Sequence, residues 1–222
     1  MSEYAISHLT REKLINAAGE LAAQHGYRNV SMRAIATRAG ENLGSIHYHF
    51  KSKNGLLMAM MNAITAHWSD NPITTAIAPL RRGLTTREGQ VRALRAIVHR
   101  HCLPLARANR PWWHTSVLFQ VLQQRSPMRN LIIKVVMQPT ERVLAEVLNH
   151  VRPGIARTDI LLHMFCMVAP LALHVNHRDM LLEQLGMKRY SPAYLAKLEA
   201  LLTTSLLLQL GLPVPGYRIS AR

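Results

Sequence analysis

The chain has 222 residues, of which 49% are hydrophobic, and carries a formal net charge of +15. That length accommodates a small domain and a larger one, and two cysteines, Cys102 and Cys166, exclude a disulfide framework. The opening MSEYAISHLT lacks a basic-then-apolar leader. The apolar run from Ile160 is interrupted by His163, Pro170 and His174, so a cytoplasmic protein is expected rather than one with a membrane span.

In chain order the periodicity predicts helices throughout, and alternating β-branched runs are absent, so the expected fold class is all-α. The first helix is predicted over Thr10 to His25, with Leu14, Ala17, Ala18, Leu21 and Ala22 inward. Two short helices follow, Ser31–Ala39 and Leu43–Phe50, then a fourth over Lys53 to about Ser69. Asp70-Asn71-Pro72 and Ile73–Thr86 are expected to form an irregular connection. Beyond it, helices are predicted over Arg87–Ala108, from Pro111 to Gln124, and from Pro127 to Val151 with a kink near Pro139. Two more run from Arg157 to Leu185, kinked near Pro170, and from Pro192 to Gly211, ahead of a loosely ordered tail. The expected division is a smaller domain over residues 1–55 and a larger helical domain over 56–222.

Charge is unevenly spread. Residues 1–55 hold seven Lys/Arg against four Asp/Glu, net +3, and residues 56–222 hold twenty against eight, net +12. This positive surface favours DNA phosphate at long range and also suits an anionic effector.

The most specific stretch is SMRAIATRAGENLGSIHYHFKSK, Ser31 to Lys53. Ser31 is placed to cap one short helix, Gly40 to end it, and Leu43, Ile46 and Phe50 begin an apolar stripe on the next. The other face of that second helix carries Ser45, His47, Tyr48 and His49, which suits the DNA major groove. With the Gly26-Tyr27 break before it and Leu56-Leu57 after, this stretch resembles the DNA-binding domain of TetR-type transcriptional regulators, from about Leu9 to Met61. Glu41 stands where that family usually has a small apolar residue, His47 replaces a usual Tyr, and Leu43 is apolar at a position that often reads bases. The resemblance implies an N-terminal three-helix DNA-binding domain, a C-terminal helical ligand-binding and dimerisation domain, and a homodimer formed through a four-helix bundle. Two recognition helices on a two-fold axis would read palindromic double-stranded DNA at half-sites about 34–36 Å apart.

Individual DNA contacts follow from the motif. Arg33 can reach phosphate or a guanine edge, Ser45, His47 and Tyr48 lie on the exposed side, and Lys53 can meet phosphate. Ser31, Asn42 and Gly44 sit at helix starts, where backbone N–H groups attract anions. No Walker loop, dinucleotide fingerprint, nucleophile elbow or His-Glu-x-x-His occurs, so neither catalysis nor a cofactor is expected.

A small-molecule effector site is expected among the aromatic and methionine residues of the second domain. Trp112, Trp113, His114 and Phe119 cluster in sequence, with Met128, Met137, Met164, Phe165 and Met167 able to line the same space. An arginine, Arg107 or Arg110, is expected to hold a negative group on an apolar or aromatic ligand. The i,i+3 pairs His99/Cys102, His163/Cys166 and His174/His177 would instead suit a metal-sensing regulator. The residues also admit a ligand-independent DNA-binding protein, or a helical ligand-binding protein or enzyme whose helix-turn-helix pattern is coincidental. The leucine stripe Leu195, Leu198, Leu202 and Leu206 is the expected dimer interface, widened by Leu201 and Leu208.

Overall fold

A computed structural model describes residues 3–70, 72–106 and 111–214. Every regular element among them is helical: α1 (Glu3–His25), α2 (Met32–Ala39), α3 (Leu43–Phe50), α4 (Lys53–Asp70), α5 (Ile73–Ile77), α6 (Arg87–Ala106), α7 (Trp113–Leu122), α8 (Pro127–Ile132), α9 (Gln138–Val151), α10 (Arg157–Asn176), α11 (Arg178–Gln184) and α12 (Pro192–Gln209). A 3₁₀ stretch, Ala78–Gly83, follows α5, and a π-helical stretch, Ile133–Met137, joins α8 to α9.

Several boundaries differ from expectation. α1 begins at Glu3, well before Thr10. The connection after Pro72 is helical in part, because Ile73 and Ile77 are both buried and order that segment. The break near Pro139 is the π-helical stretch, with Pro139 in the opening turn of α9, where its missing N–H costs nothing. The helix expected over Arg157–Leu185 runs through Pro170 but divides at His177 into α10 and α11. Leu212, expected in a loose tail, is buried, and the tail beyond Val214 lies outside the described residues.

The chain packs as two units that interleave in sequence. One contains residues 1–70 and 109–135, the other 71–108 and 136–222. The expected cut after residue 55 therefore does not coincide with packing, since α4, α7 and α8 share a core with α1–α3. In this first unit Leu14, Ala18 and Ala22 of α1 are buried, as are Ile35 of α2 and Ile46 of α3. Leu56, Met60 and Met61 of α4 and Val117 and Val121 of α7 are buried too. The indole of Trp113 lies over Gly19, where any Cβ would run into the ring. Gln120 donates from Nε2 to Ala23 O at 2.9 Å, and Arg28 donates to Arg125 O at 3.1 Å. The segment after Pro111 is thus fastened to the N-terminal helices by a packed aromatic and two hydrogen bonds.

The second unit is built around α6. Leu94, Ile97 and Val98 pack with Val143, Leu144, Val147 and Leu148 of α9, Met164, Met167 and Leu171 of α10, and Leu202, Leu206 and Leu207 of α12. α10 is apolar and long enough to cross a membrane by length and composition, but Ile160, Met164, Met167 and Leu171 belong to this core. Buried Gln90 donates to Leu84 O at 2.9 Å and His150 O at 3.1 Å. His101, also buried, has Nδ1 2.9 Å from Ile97 O and Nε2 3.3 Å from the Thr140 hydroxyl. Burial, with the Arg100 guanidinium alongside, pushes the His101 imidazole down to about 4, so it is neutral at pH 7.

Candidate nucleic-acid interface

The helix-turn-helix is set by local chemistry. Ser31 accepts from Ala34 N–H at 3.1 Å and starts α2. Gly40 takes φ 68°, a left-handed conformation that glycine adopts without a Cβ penalty, and Glu41 N–H donates back to Ala36 O at 3.0 Å. Two residues after that glycine, Asn42 accepts from Ser45 N–H at 2.8 Å and starts α3. The chain therefore reverses within three residues, and α3 leaves the turn with one face fixed.

That face is narrow. Ile46 and Phe50 are the buried residues of α3. Leu43, expected to open the buried stripe, is 43% exposed, because the stripe begins one turn later against α1 and α4. Leu43, His47 and Tyr48 form an exposed surface, with Tyr48 70% exposed. Arg33 is exposed on α2.

Some expected contacts are already engaged within the chain. The Ser31 hydroxyl is a cap acceptor, and Ser45 donates its hydroxyl to Asn42 Oδ1 at 3.3 Å. The Asn42 side chain is turned onto its own helix, where its Oδ1 caps α3. In α3 the N–H groups of Leu43 and Gly44 precede the first intrahelical bond and are the donors an anion would meet. Lys53 Nζ donates to Arg28 O at 3.0 Å.

Several cations in this unit escape a motif reading. Lys51 follows α3 with φ 64°, the one positive φ outside glycine among the described residues, and its Nζ lies 5.9 Å from the Tyr48 ring centroid. Such a backbone costs about 1 kcal/mol or more and places an exposed ammonium beside the α3 surface. Arg11 lies over the Phe50 ring at 5.4 Å. Arg38 is tied to Glu20 at 3.4 Å and Gln24 at 3.2 Å on α1. The sequence signal for Lys51 is only its place between Phe50 and Ser52; its left-handed backbone is a property of the fold.

The described residues expected to line an effector site are divided between the two units. Trp113 is 1% exposed and belongs to the core of the first unit, with His114 against it at a ring-centroid distance of 4.1 Å. Trp112 is 55% exposed and Phe119 half-buried. Met164 and Met167 are core residues of the second unit, Met137 is packed at its edge, and Phe165 is exposed on α10. Met128 is buried in the first unit. Arg107 and Arg110 lie outside the described residues.

Nor do the His/Cys pairs form a metal centre among the described residues, where no three His, Cys, Asp or Glu gather. His99 lies 3.0 Å from Glu199, and His163 lies 3.1 Å from Gln209 Oε1. His174 sits between Pro170 O at 2.7 Å and Tyr194 OH at 2.8 Å, which uses both ring nitrogens. Cys102 is buried, and burial followed by the Glu199 charge pushes its thiol up to about 12.

Of the expected interface leucines, Leu202 and Leu206 are buried within the chain, because α12 packs against α6. Leu195 and Leu198 are half-buried. The large apolar residues exposed on α12 are Leu201 and Leu208, and those exposed on α10 are Leu162, Phe165 and Leu173.

Residues 14–60 match the family described as bacterial regulatory proteins, tetR family. The HTH-type transcriptional regulator BetI of Escherichia coli is 36% identical over 70 residues, 32% of this chain and 36% of BetI, so the match spans about a third of that relative's length. Likeness to solved structures extends over the whole fold. Mycobacterium smegmatis AmtR superposes with a TM-score of 0.57 at 18% identity, covering 91% of this chain and 86% of AmtR. SmeT, the repressor of the Stenotrophomonas maltophilia multidrug efflux pump SmeDEF, gives 0.56 at 20% identity and 96% coverage of both. SmeT in complex with triclosan gives 0.55 at 17% identity, covering 90% of each chain. At these identities the structures speak for the fold, and the N-terminal match speaks for the lineage. Residues 14–60 of the chain are thus a helix-turn-helix domain of the kind described as bacterial regulatory proteins, tetR family.

Proposed function

We propose that this chain is a DNA-binding transcriptional regulator. It acts as a cytoplasmic homodimer that represses from a palindromic operator and is released by a small-molecule effector. The observation that carries this reading is α3: two buried residues on one side, and Leu43, His47 and Tyr48 exposed on the other behind a capped, tightly reversed turn. A helix held by one face with a polar free face is the form that enters a major groove. Lys51, Lys53 and the N–H groups opening α3 supply the phosphate side of the contact.

The homodimer is supported by the exposed apolar residues of α10 and α12, which solvent alone would penalise. The effector is supported by the fold shared with SmeT, whose triclosan complex is a case of this architecture holding a small apolar molecule. A negative group on the ligand is supported by the net +12 of residues 56–222. Release then follows by linkage: effector and operator favour different conformations, and each weakens the other's binding. No catalytic role is proposed.

A mobility shift with DNA from upstream of the chain's own gene tests the reading. Wild type should shift a discrete fragment against excess nonspecific DNA. Lys51→Ala and Lys53→Ala should each weaken binding to every sequence and reduce the slope of log affinity against log salt by about one. Two variants that bind as wild type does would overturn the assignment of α3 to DNA.

A further inference from the structure

The two ends of α3 are held by different means. Its C-terminal half is anchored by burial, with Ile46 0% and Phe50 7% exposed. Its first residue, Leu43, is 43% exposed, so no comparable apolar anchor exists at the N-terminal end. That end hangs on the turn from Gly40 to Asn42. Within this turn Glu41 reaches across to α1. Its carboxylate accepts from the Thr10 hydroxyl at 3.4 Å and lies 3.7 Å from Lys13 Nζ. Thr10 and Lys13 are three residues apart and share a face of α1. The Glu41 side chain is only 18% exposed against 61% for Lys13, so the acid is the seated partner and the lysine closes over it.

We infer that Glu41 is a positioning residue for DNA reading. It ties the leading end of α3 to α1 and so sets the angle at which Leu43 and His47 meet base edges. This rests on the DNA-binding reading above. Leu43 to Phe50 spans about 10 Å of helix, so a tilt of about 6° about the buried end moves the leading residues by about 1 Å. Hydrogen bonds to base edges tolerate only a few tenths of an ångström, and the N-terminal residues of a recognition helix are the ones that make them. An ion pair this exposed adds little to stability; its effect lies in orientation. The carboxylate also repels phosphate. Removing it should therefore lower discrimination while leaving nonspecific binding equal or tighter, two changes of opposite sign that a simple loss of folding cannot produce.

The test uses the full-length protein and a randomised duplex library. A sequence enriched by wild type is compared with a scrambled duplex of the same composition, for wild type, Glu41→Gln, Lys13→Ala and the double variant. Glu41→Gln should lower the ratio of selected to scrambled affinity by about tenfold, the size of one base contact. It should bind the scrambled duplex at least as tightly as wild type and melt at the wild-type temperature. Lys13→Ala should lower the ratio similarly, and the double variant should be no worse than Glu41→Gln, since both remove one tether. An unchanged ratio in Glu41→Gln, or parallel loss on both duplexes with a lowered melting temperature, overturns the inference while leaving DNA binding intact. If wild type enriches no sequence, the DNA reading itself fails and this inference with it.

Discussion

α3 and α12 spend their surfaces in opposite ways. α3 has eight residues, buries two, and offers Leu43, His47 and Tyr48 outward. α12 has eighteen residues, buries Leu202, Leu206 and Leu207 against its own unit, and still leaves Leu201 and Leu208 outward. Isolated helices as short as α3 are marginal in water, so caps and a turn must define it, and its free face is available for a charged partner. α12 is held by core burial, worth about 1.5–3 kcal/mol for each fully buried leucine. Its exposed leucines belong to the apolar face proposed to meet a second copy. The difference teaches that in this chain local backbone chemistry defines α3, whereas packing defines α12.

The largest effect that can break this contrast lies outside both helices. Trp113→Ala removes a fully buried indole seated on Gly19 of α1, and such truncations cost about 3–5 kcal/mol. Thermal melting should show destabilisation, and DNA binding should fall with it. A Trp113→Ala protein that kept its melting point and lost only effector response would restore the aromatic residue to a ligand site.

Next in size is the buried His101. Its folded value of about 4 lies below the ordinary 6.5, so the unfolded chain binds the proton more readily. The neutral ring's contribution is intact above pH 6.5 and is lost as pH falls from 6.5 toward 4, by about 3 kcal/mol in total. Denaturant melts across that window should show the loss, and His101→Gln should flatten it. An equal slope in the variant would show that other groups carry the acid sensitivity.

The caps come third. Ser31→Ala and Asn42→Ala each remove a side-chain acceptor from a helix start and should cost about 1 kcal/mol. Stabilities equal to wild type would mean that packing, not capping, defines the reading helices.

The smallest stability effect is the most informative about α12. Leu201→Glu changes an exposed residue and should alter monomer stability by no more than about 0.5 kcal/mol, yet it should dissociate a dimer formed through that face. Light scattering checks the mass. Leu206→Glu, by contrast, buries a charge and should unfold the second unit.

How much was legible in the sequence differs between these regions for the same reason. Ser31 and Gly40 act on backbone groups within a few residues of themselves, so their roles in α2 could be read from spacing alone, whereas the cap that Asn42 makes on α3 was not read from the sequence. The all-helical class and the inward residues Leu14, Ala18 and Ala22 followed from a 3.6-residue period. No local rule says which of two apolar faces on α12 turns inward; the choice of Leu202 and Leu206 over Leu201 was made by α6. No local rule places Trp113 on Gly19 either, since 94 positions separate them and only the return of α7 to α1 joins them. The contact of Glu41 with Lys13 is of the same kind. Sequence by itself determined the capped, reversed pair of helices, because hydrogen bonds to neighbouring backbone act at short range. Tertiary structure alone decided which apolar residues became core and which surface, because burial depends on what the rest of the chain brings alongside.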